Sequence, residues 1–508
     1  MRNLMVGHRP VYALGEWAAA FDPGVLGLRA GDAEMLNDDR VGRTLDRLFD
    51  ADRASLITQT VLAVIRDFEI ETTQLHNDST TVTVTGAYPD ADGRDRGGKA
   101  TPAIRHGHNK DYRPDLKQLL FILTISADGA VPIAYRVADG NTPDDVTHIP
   151  TWDQLCALVG QPGFLYVADS KLCSKQAMGH IASHGGRFVT VVPHGRREDT
   201  WFRDWAQTHA PTWVEARRLP GSRLGDPDRV WRTFQALAPS IDGYRVIWVH
   251  SSTKAARDAA ARAARIEAGL AAIDAVAARL ATPKTRIKTK VAVEQAATTA
   301  LTGAGAGRWV SFTITAASDV SFHQELRGRP GSATRYRRSE KPIFTITAAI
   351  RADKVAYDAA TDGCFPTITN DTVMTPAEVL AAYHYQPNLE RRNHMLKGPQ
   401  EVAPVYLETP HRIEALLLCH FLAMLTEALI EREIRTSMKT EGLAGIPLYP
   451  ELRNCPAPSA PRILEIFDDV QRHQLISQDQ IVQTFEPQLT PLQQQVLDLL
   501  HIPASVYT

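Results

Sequence analysis

The stretch LKQLLFILTISADGAVPIAYRVADG (116–140) limits the fold more than any other part of the chain. Two apolar runs are joined by the turn ADG, which reads as a hairpin of two largely buried strands. Before it lies ETTQLHNDSTTVTVTGAY (71–88), where the alternation TVTVT marks another strand. After it, TPDDVTHIPTWDQLCALVG starts with a cap and a proline and reads as a helix. GFLYVADS (163–170) is a short apolar strand, KLCSKQAMGHIASHG is helical, and RFVTVVP is a further strand. The order is therefore strand, strand, strand, helix, strand, helix, strand. An antiparallel meander continued by helix-linked strands makes a mixed α/β sheet.

The chain has 508 residues, more than one compact core accommodates. Residues 1–70 read as a helical domain with a generic pattern compatible with DNA binding. Within it LNDDRVGRTLDRLF offers Asn37 or Asp38 as N-cap, and SLITQTVLAVIRDF is a second amphipathic run. Residues 71–193 hold the strands described above, and 194–365 form a long insertion. That insertion has an Ala-rich helical stretch, the basic run PKTRIKTK, and strand-like RWVSFTITA, PIFTITAAI and CFPTITN. Residues 366–437 return to helix, opening with TPAE as a capping box. Residues 438–508 read as a helical C-terminal region.

Hydrophobic residues make up 44% and charged residues 22%, ordinary for a globular chain. Five scattered cysteines without a CxxC pair argue against a zinc site and a disulfide framework, and suit a reducing cytosol. Met1 is followed by RNLMVGHRP, which has no apolar leader core, so the expected location is cytoplasmic. The most apolar run, IEALLLCHFLAMLTEALI (413–430), carries Glu414, His420 and Glu427 and is expected to be a buried helix. The loop GRDRGGK lacks the phosphate-loop spacing GxxxxGK[ST], and no nucleophile elbow is present.

Net charge is −2, but positive charge is unevenly placed. Between Lys254 and Ala300 nine basic residues face four acids, and RGRPGSATRYRRSEK (327–341) has six against one. Such patches can follow phosphates, although a charge run is also what a solvated surface carries. In the second patch Arg335, Arg337 and Arg338 are the candidate DNA contacts.

Three acids stand out. Asp78 lies within a strand and Asp169 ends one, and an acid there is costly unless paired, hydrogen-bonded or metal-bound. Asp169 also precedes KLCSKQ closely enough to cap that helix. Glu390 lies in YHYQPNLERRNHMLKG, among Arg391, Arg392, His394 and Lys397. Carboxylates from two strands and a helix would hold two hard divalent cations, Mg²⁺ with Mn²⁺ as substitute, for phosphodiester chemistry. On a continuous helix Tyr383, Gln386, Glu390 and Lys397 fall at about 0°, 300°, 340° and 320°, one face, with Pro387 marking a break or a new start. His106 and His108 lack a third spaced ligand and read as a structural or DNA-facing loop.

At these residues the chain resembles insertion-sequence DDE transposases of the IS-four superfamily, in its IS-sixteen-thirty-four branch. The resemblance is carried by LNDDRVGRTLDRLF, LHNDSTTVTVTGAY, the run from RHGHNKDYRPDLKQ to VADGNTPD, FLYVADSKLCS, TDGCFPTITN and YHYQPNLERRNHMLKG, spread over about residues 37–437. It implies a ribonuclease-H-like core interrupted by an insertion, with Asp78, Asp169 and Glu390 as catalytic metal ligands. It also implies a helix signature matched by Tyr383, Gln386, Glu390 and Lys397, with Gln386 standing where the family has arginine. Arg391 joins these as a candidate DNA contact. The implied partners are double-stranded DNA (element ends and target) and a second copy of the chain. A host nuclease on the same fold and a silent DNA-binding derivative are the alternative functions.

Overall fold

The computed structural model describes residues 1–508 except 30, 90, 222, 224, 283, 284, 399, 401, 403–406, 479 and 508, and the side chain of 452. Pro283 and Lys284 of the basic run PKTRIKTK thus lie outside the described residues. The chain divides into two compact units, each taken by itself below. The first comprises Met1–Val191, Thr369–Met374 and Ala381–Thr508, and the second Val192–Ile368 and Thr375–Leu380.

After short helical turns the first unit begins with α1 (Asp38–Asp50) and α2 (Arg53–Asp67). Asn37 caps α1, accepting from the Arg40 amide at 2.9 Å, which meets one of the donors a helix start leaves open. The next elements are β1 (Gln74–Val84), β2 (Lys117–Ser126) and β3 (Pro132–Asp139). Then come α3 (His148–Val159), β4 (Leu165–Ala168), α4 (Lys175–Ser183) and β5 (Arg187–Val191). Their order across the sheet is β3-β2-β1-β4-β5. β1 runs antiparallel to β2, and β2 to β3, whereas β1, β4 and β5 are parallel. The apolar run of β2 is buried at nine successive positions, so it is covered on both faces.

The second unit starts with α5 (Arg197–Trp205), β6 (Val214–Leu219), β7 (Arg229–Gln235) and β8 (Arg245–Ser251). Three strands here have no counterpart in the sequence reading. VEARRL and RVWRTFQ mix arginines into the strand and leave no apolar run to see, while RVIWVHS is short. Helices α6 (Ser252–Ala281) and α7 (Lys290–Gly303) pack together over Ile273, Val276, Val293 and Leu301. Next is a ribbon of two 15-residue strands, β9 (Val310–Gln324) and β10 (Tyr336–Ile350). Val310 and Ile346 anchor its base in that core, and its outer half is almost wholly exposed. After the ribbon come α8 (Ala352–Ala359) and β11 (Cys364–Thr369), and β11-β8-β7-β6 are neighbours in that order.

Thr375 and Glu378 form the expected capping box at the start of α9 (Pro376–Tyr383), with the Thr375 amide donating to Glu378 at 2.7 Å. A break at His384 and Tyr385 separates it from α10 (Gln386–Lys397), where Pro387 occupies the first turn. Pro387 thus marks a new helix start, one of the two outcomes its position signalled, and the residues lie on two helices. Proline cannot donate within a helix but is tolerated in its first turn. α11 (Pro410–Thr440) is long and apolar enough to cross a membrane, yet its apolar window is 61% buried within the protein, as in a core helix. It packs against α1 and β3. The helical reading of 438–508 is corrected: besides α12 (Ala460–Glu465) and α13 (Pro491–Leu499) there is an exposed hairpin of β12 (His473–Ser477) and β13 (Gln480–Phe485). Its amide-rich strands lack the apolar alternation that would reveal them.

A buried polar network ties α10 and α11 to the β2–β3 turn. The Arg392 guanidinium meets Glu431 at 2.9 Å and donates to the carbonyl oxygens of Ala130 and Gly129. Next to it Glu427 is fully buried. It accepts from Gln400 at 2.8 Å through one oxygen, and the other has no partner among the described residues. Burial pushes its carboxyl up to about 7 from 4.5. A raised acid favours the folded state below its unfolded value and loses that benefit as pH rises through its folded value. We expect the melting temperature to fall between about pH 5 and pH 8. Glu427→Gln should flatten this slope and leave the variant up to about 3 kcal/mol more stable than the parent at alkaline pH. Thermal melts across pH, on both proteins, check this.

Candidate functional site

The last residue pair in the parallel ladder between β1 and β4 is Asn77 with Ala168. The next residues are Asp78 and Asp169. With strands about 4.8 Å apart, the two acids start side by side at the carboxyl end of β4. In open α/β sheets this end of the strands is where ligands bind. β1 continues past it, paired only to β2, with Asp78 opposite Leu123. Asp169 caps the short helical turn Ser170–Leu172, accepting from the Lys171 amide at 3.0 Å, whereas α4 beyond it is capped by Ser174.

Asp78 is the more strained acid. Burial raises its carboxyl to about 6, Lys110 opposes the rise, and the charge of Asp169 adds to it. Its Oδ1 accepts from the Ser79 amide at 2.7 Å and lies 3.6 Å from Lys110 Nζ. The same ammonium is 3.3 Å from Asp144 and donates to the Ser79 carbonyl oxygen at 2.6 Å and its hydroxyl at 2.8 Å. That hydroxyl in turn donates to Asp144 at 2.6 Å. Lys110 and Asp144 are thus part of the site, although the sequence reading gave neither a role. Both lie in segments already notable for other reasons, HGHNKDYRPD and TPDDVTH. A lysine in a polar loop and an acid before a helix carry no periodic signal.

Glu390 is exposed on α10, and α10 packs on β1 and β2. The phenol of Tyr383 feels the charge of all three acids. Burial pushes it up to about 12, and the negative charges of Asp169, Glu390 and Asp78 push in the same direction. His148, at the start of α3, faces the same acid group. Burial drives its imidazole down to about 4 against the pull of Asp169, Asp144 and Asp145. Its Nδ1 pairs with the Tyr166 hydroxyl at 3.1 Å, and Nε2 is buried without a hydrogen-bond partner among the described residues.

Among the described residues no group of three or more His, Cys, Asp or Glu side chains closes on one point in the manner of a preassembled metal site. Asp78 and Asp169 are neighbours, Glu390 acts on the same phenol, and Lys110 fills one edge.

Gln386 does not offer itself to a phosphate. It is buried, its carbonyl oxygen pairs with His76 Nδ1 at 2.9 Å, and its amide donates to the Asn77 carbonyl oxygen at 3.0 Å. Gln386 is therefore a fastener between α10 and β1. Lys397 reaches Asp111 at 2.5 Å, so its charge is already paired. Arg391 is exposed. The three ribbon arginines do not share a face. Arg338 lies opposite Phe322 and Arg337 opposite His323, adjacent register positions that alternate sides, and Arg335 precedes the strand in the connecting turn. His106 and His108 are both exposed in the loop before β2.

No family model matches the chain, and no curated protein matches its sequence.

Replacing Gln386 with Ala would leave His76 and the Asn77 carbonyl without their partner inside the core. We expect a loss of about 1–3 kcal/mol in stability, read by urea unfolding.

Proposed function

We propose that this protein is a DDE transposase on a ribonuclease-H-like core, cutting the ends of an insertion element and joining the freed 3′ hydroxyl to target DNA. The observation that carries this reading is the pair Asp78 and Asp169, one residue beyond the last pair of a parallel ladder, with the Glu390 helix packed on the same strand. The sheet order β3-β2-β1-β4-β5, three antiparallel strands followed by parallel ones, supports the core the reading requires.

The donor set is all carboxylate oxygen, the chemistry that suits Mg²⁺ or Mn²⁺. Asp78, Asp169 and Glu390 would hold the ions, which when bound supply activation of the attacking oxygen and stabilisation of the leaving one. The chain's own part is placement. Gln386 fastens α10 to β1 and so fixes where Glu390 stands, and exposed Arg391 is available to a phosphate beside it. The exposed ribbon β9–β10, with Arg335, Arg337 and Arg338, is the second DNA contact, since a two-stranded ribbon fits a major groove. A dimer on paired ends and action in the cytoplasm belong to the same proposal.

A second reading is a DNA-binding derivative without catalysis, favoured by the Lys110 ammonium beside the acids. Glu390→Gln separates the two. The amide keeps shape and removes charge, so binding of an end fragment should persist while Mg²⁺-dependent nicking drops by orders of magnitude. Near-normal nicking by a well-folded variant would remove Glu390 from the site, and no nicking by the parent would favour the derivative. Separately, replacing Arg335, Arg337 and Arg338 with Ala should flatten the salt dependence of binding by up to about one unit of log–log slope per lost phosphate contact. A gel-shift series in salt measures it, and an unchanged slope would take the ribbon out of the interface.

A further inference from the structure

We propose that Lys110 is a fixed internal counter-charge that competes with a divalent cation for the Asp78–Asp144 edge of the site, and so sets the metal affinity low. The inference rests on the reading of Asp78 and Asp169 as metal ligands.

The geometry distinguishes Lys110 from a casual surface lysine. Its backbone is pinned on both sides. Asn109 donates to Gln118 on β2 at 2.8 Å and accepts from the amides of Asp111 and Arg113 at 2.8 and 3.1 Å. The Lys110 amide itself donates to the Thr81 hydroxyl on β1 at 3.3 Å. Asp111 is held in turn by Thr81 and by Lys397. A side chain leaving so anchored a loop has lost much of the freedom that makes exposed ion pairs weak.

The acids are also not the nearest partners of the ammonium. Its short hydrogen bonds, 2.6 and 2.8 Å, go to Ser79, whereas Asp144 and Asp78 stand further off at 3.3 and 3.6 Å. Ser79 therefore takes the shortest hydrogen bonds of the ammonium and fixes it in ion-pair contact with both carboxylates. The hydrogen bond and ion pair on Asp78 both involve Oδ1. An ion arriving at this edge keeps carboxylate oxygens to bind but meets a like charge already in place. A unit charge at contact distance in a partly screened site changes affinity by about tenfold or more.

The test is Mn²⁺ binding to the whole chain, free Mn²⁺ being read by electron paramagnetic resonance at pH 8 without DNA. Lys110→Met removes the charge and keeps much of the bulk. We expect it to bind Mn²⁺ about tenfold tighter than the parent. Lys110→Arg, which keeps the charge, should stay within about threefold. Lys110→Gln serves if the methionine variant fails to fold, since its amide can still donate to the Ser79 carbonyl oxygen. Asp78→Asn is the control for the site. A merely structural lysine predicts weaker or equal binding in the neutral variants. That result, with Asp78→Asn still abolishing binding, overturns the counter-charge and leaves the metal site standing. If the parent and the neutral variants bind no Mn²⁺ that Asp78→Asn removes, the metal reading itself fails and the counter-charge with it.

Discussion

Everything at the candidate site depends on four residue pairs, the parallel ladder from Gln74–Leu165 to Asn77–Ala168. Parallel strands need a crossover, and here the crossover carries the β2–β3 meander and α3 before β4 can lie beside β1. The ladder stops because β4 ends at Ala168, where Asp169 turns to cap the helical turn at Ser170–Leu172. β1 continues, so one acid lies at a strand end and its neighbour within a strand. Their surroundings are unequal as a result. Each accepts from a backbone amide, yet burial still forces the carboxyl of Asp78 up. A one-residue slip in the ladder would put one acid on the opposite side of the sheet.

The second organising feature is how α10 is held. Gln386 engages β1 at the helix start, and Arg392 engages the β2–β3 turn and Glu431 one and a half turns later. Both are polar side chains spent inside the protein. Such groups are costly to bury unless satisfied, and once satisfied they allow few alternative seatings. Glu390 lies between them in sequence and faces outward, so its position is inherited from two buried anchors.

Much of this was legible in the sequence, for identifiable reasons. The strands β1 to β5 carry either alternation or an uninterrupted apolar run, and α1 begins at the capping residue Asn37. Asp78 and Asp169 drew notice because an acid in an apolar strand is anomalous in one dimension. What escaped depends on three dimensions. Lys110 matters only through Ser79 and Asp144, one of them more than sixty residues from the other along the chain. Gln386 reads as a surface residue until His76 is seen to face it. The break at Tyr385 was signalled by Pro387, but the identity of the faces on either side of it was not. β6 and β7 hide behind arginines, and the C-terminal hairpin behind glutamines.

The β9–β10 ribbon carries its arginines on alternate faces, and two-stranded ribbons twist strongly along their length. Positive charge is therefore wound about its axis as a sleeve and not laid along it as a stripe. A stripe demands one roll angle of whatever it meets. A sleeve tolerates many, so the ribbon's own charge favours no single approach and leaves the choice of orientation to the body that carries it.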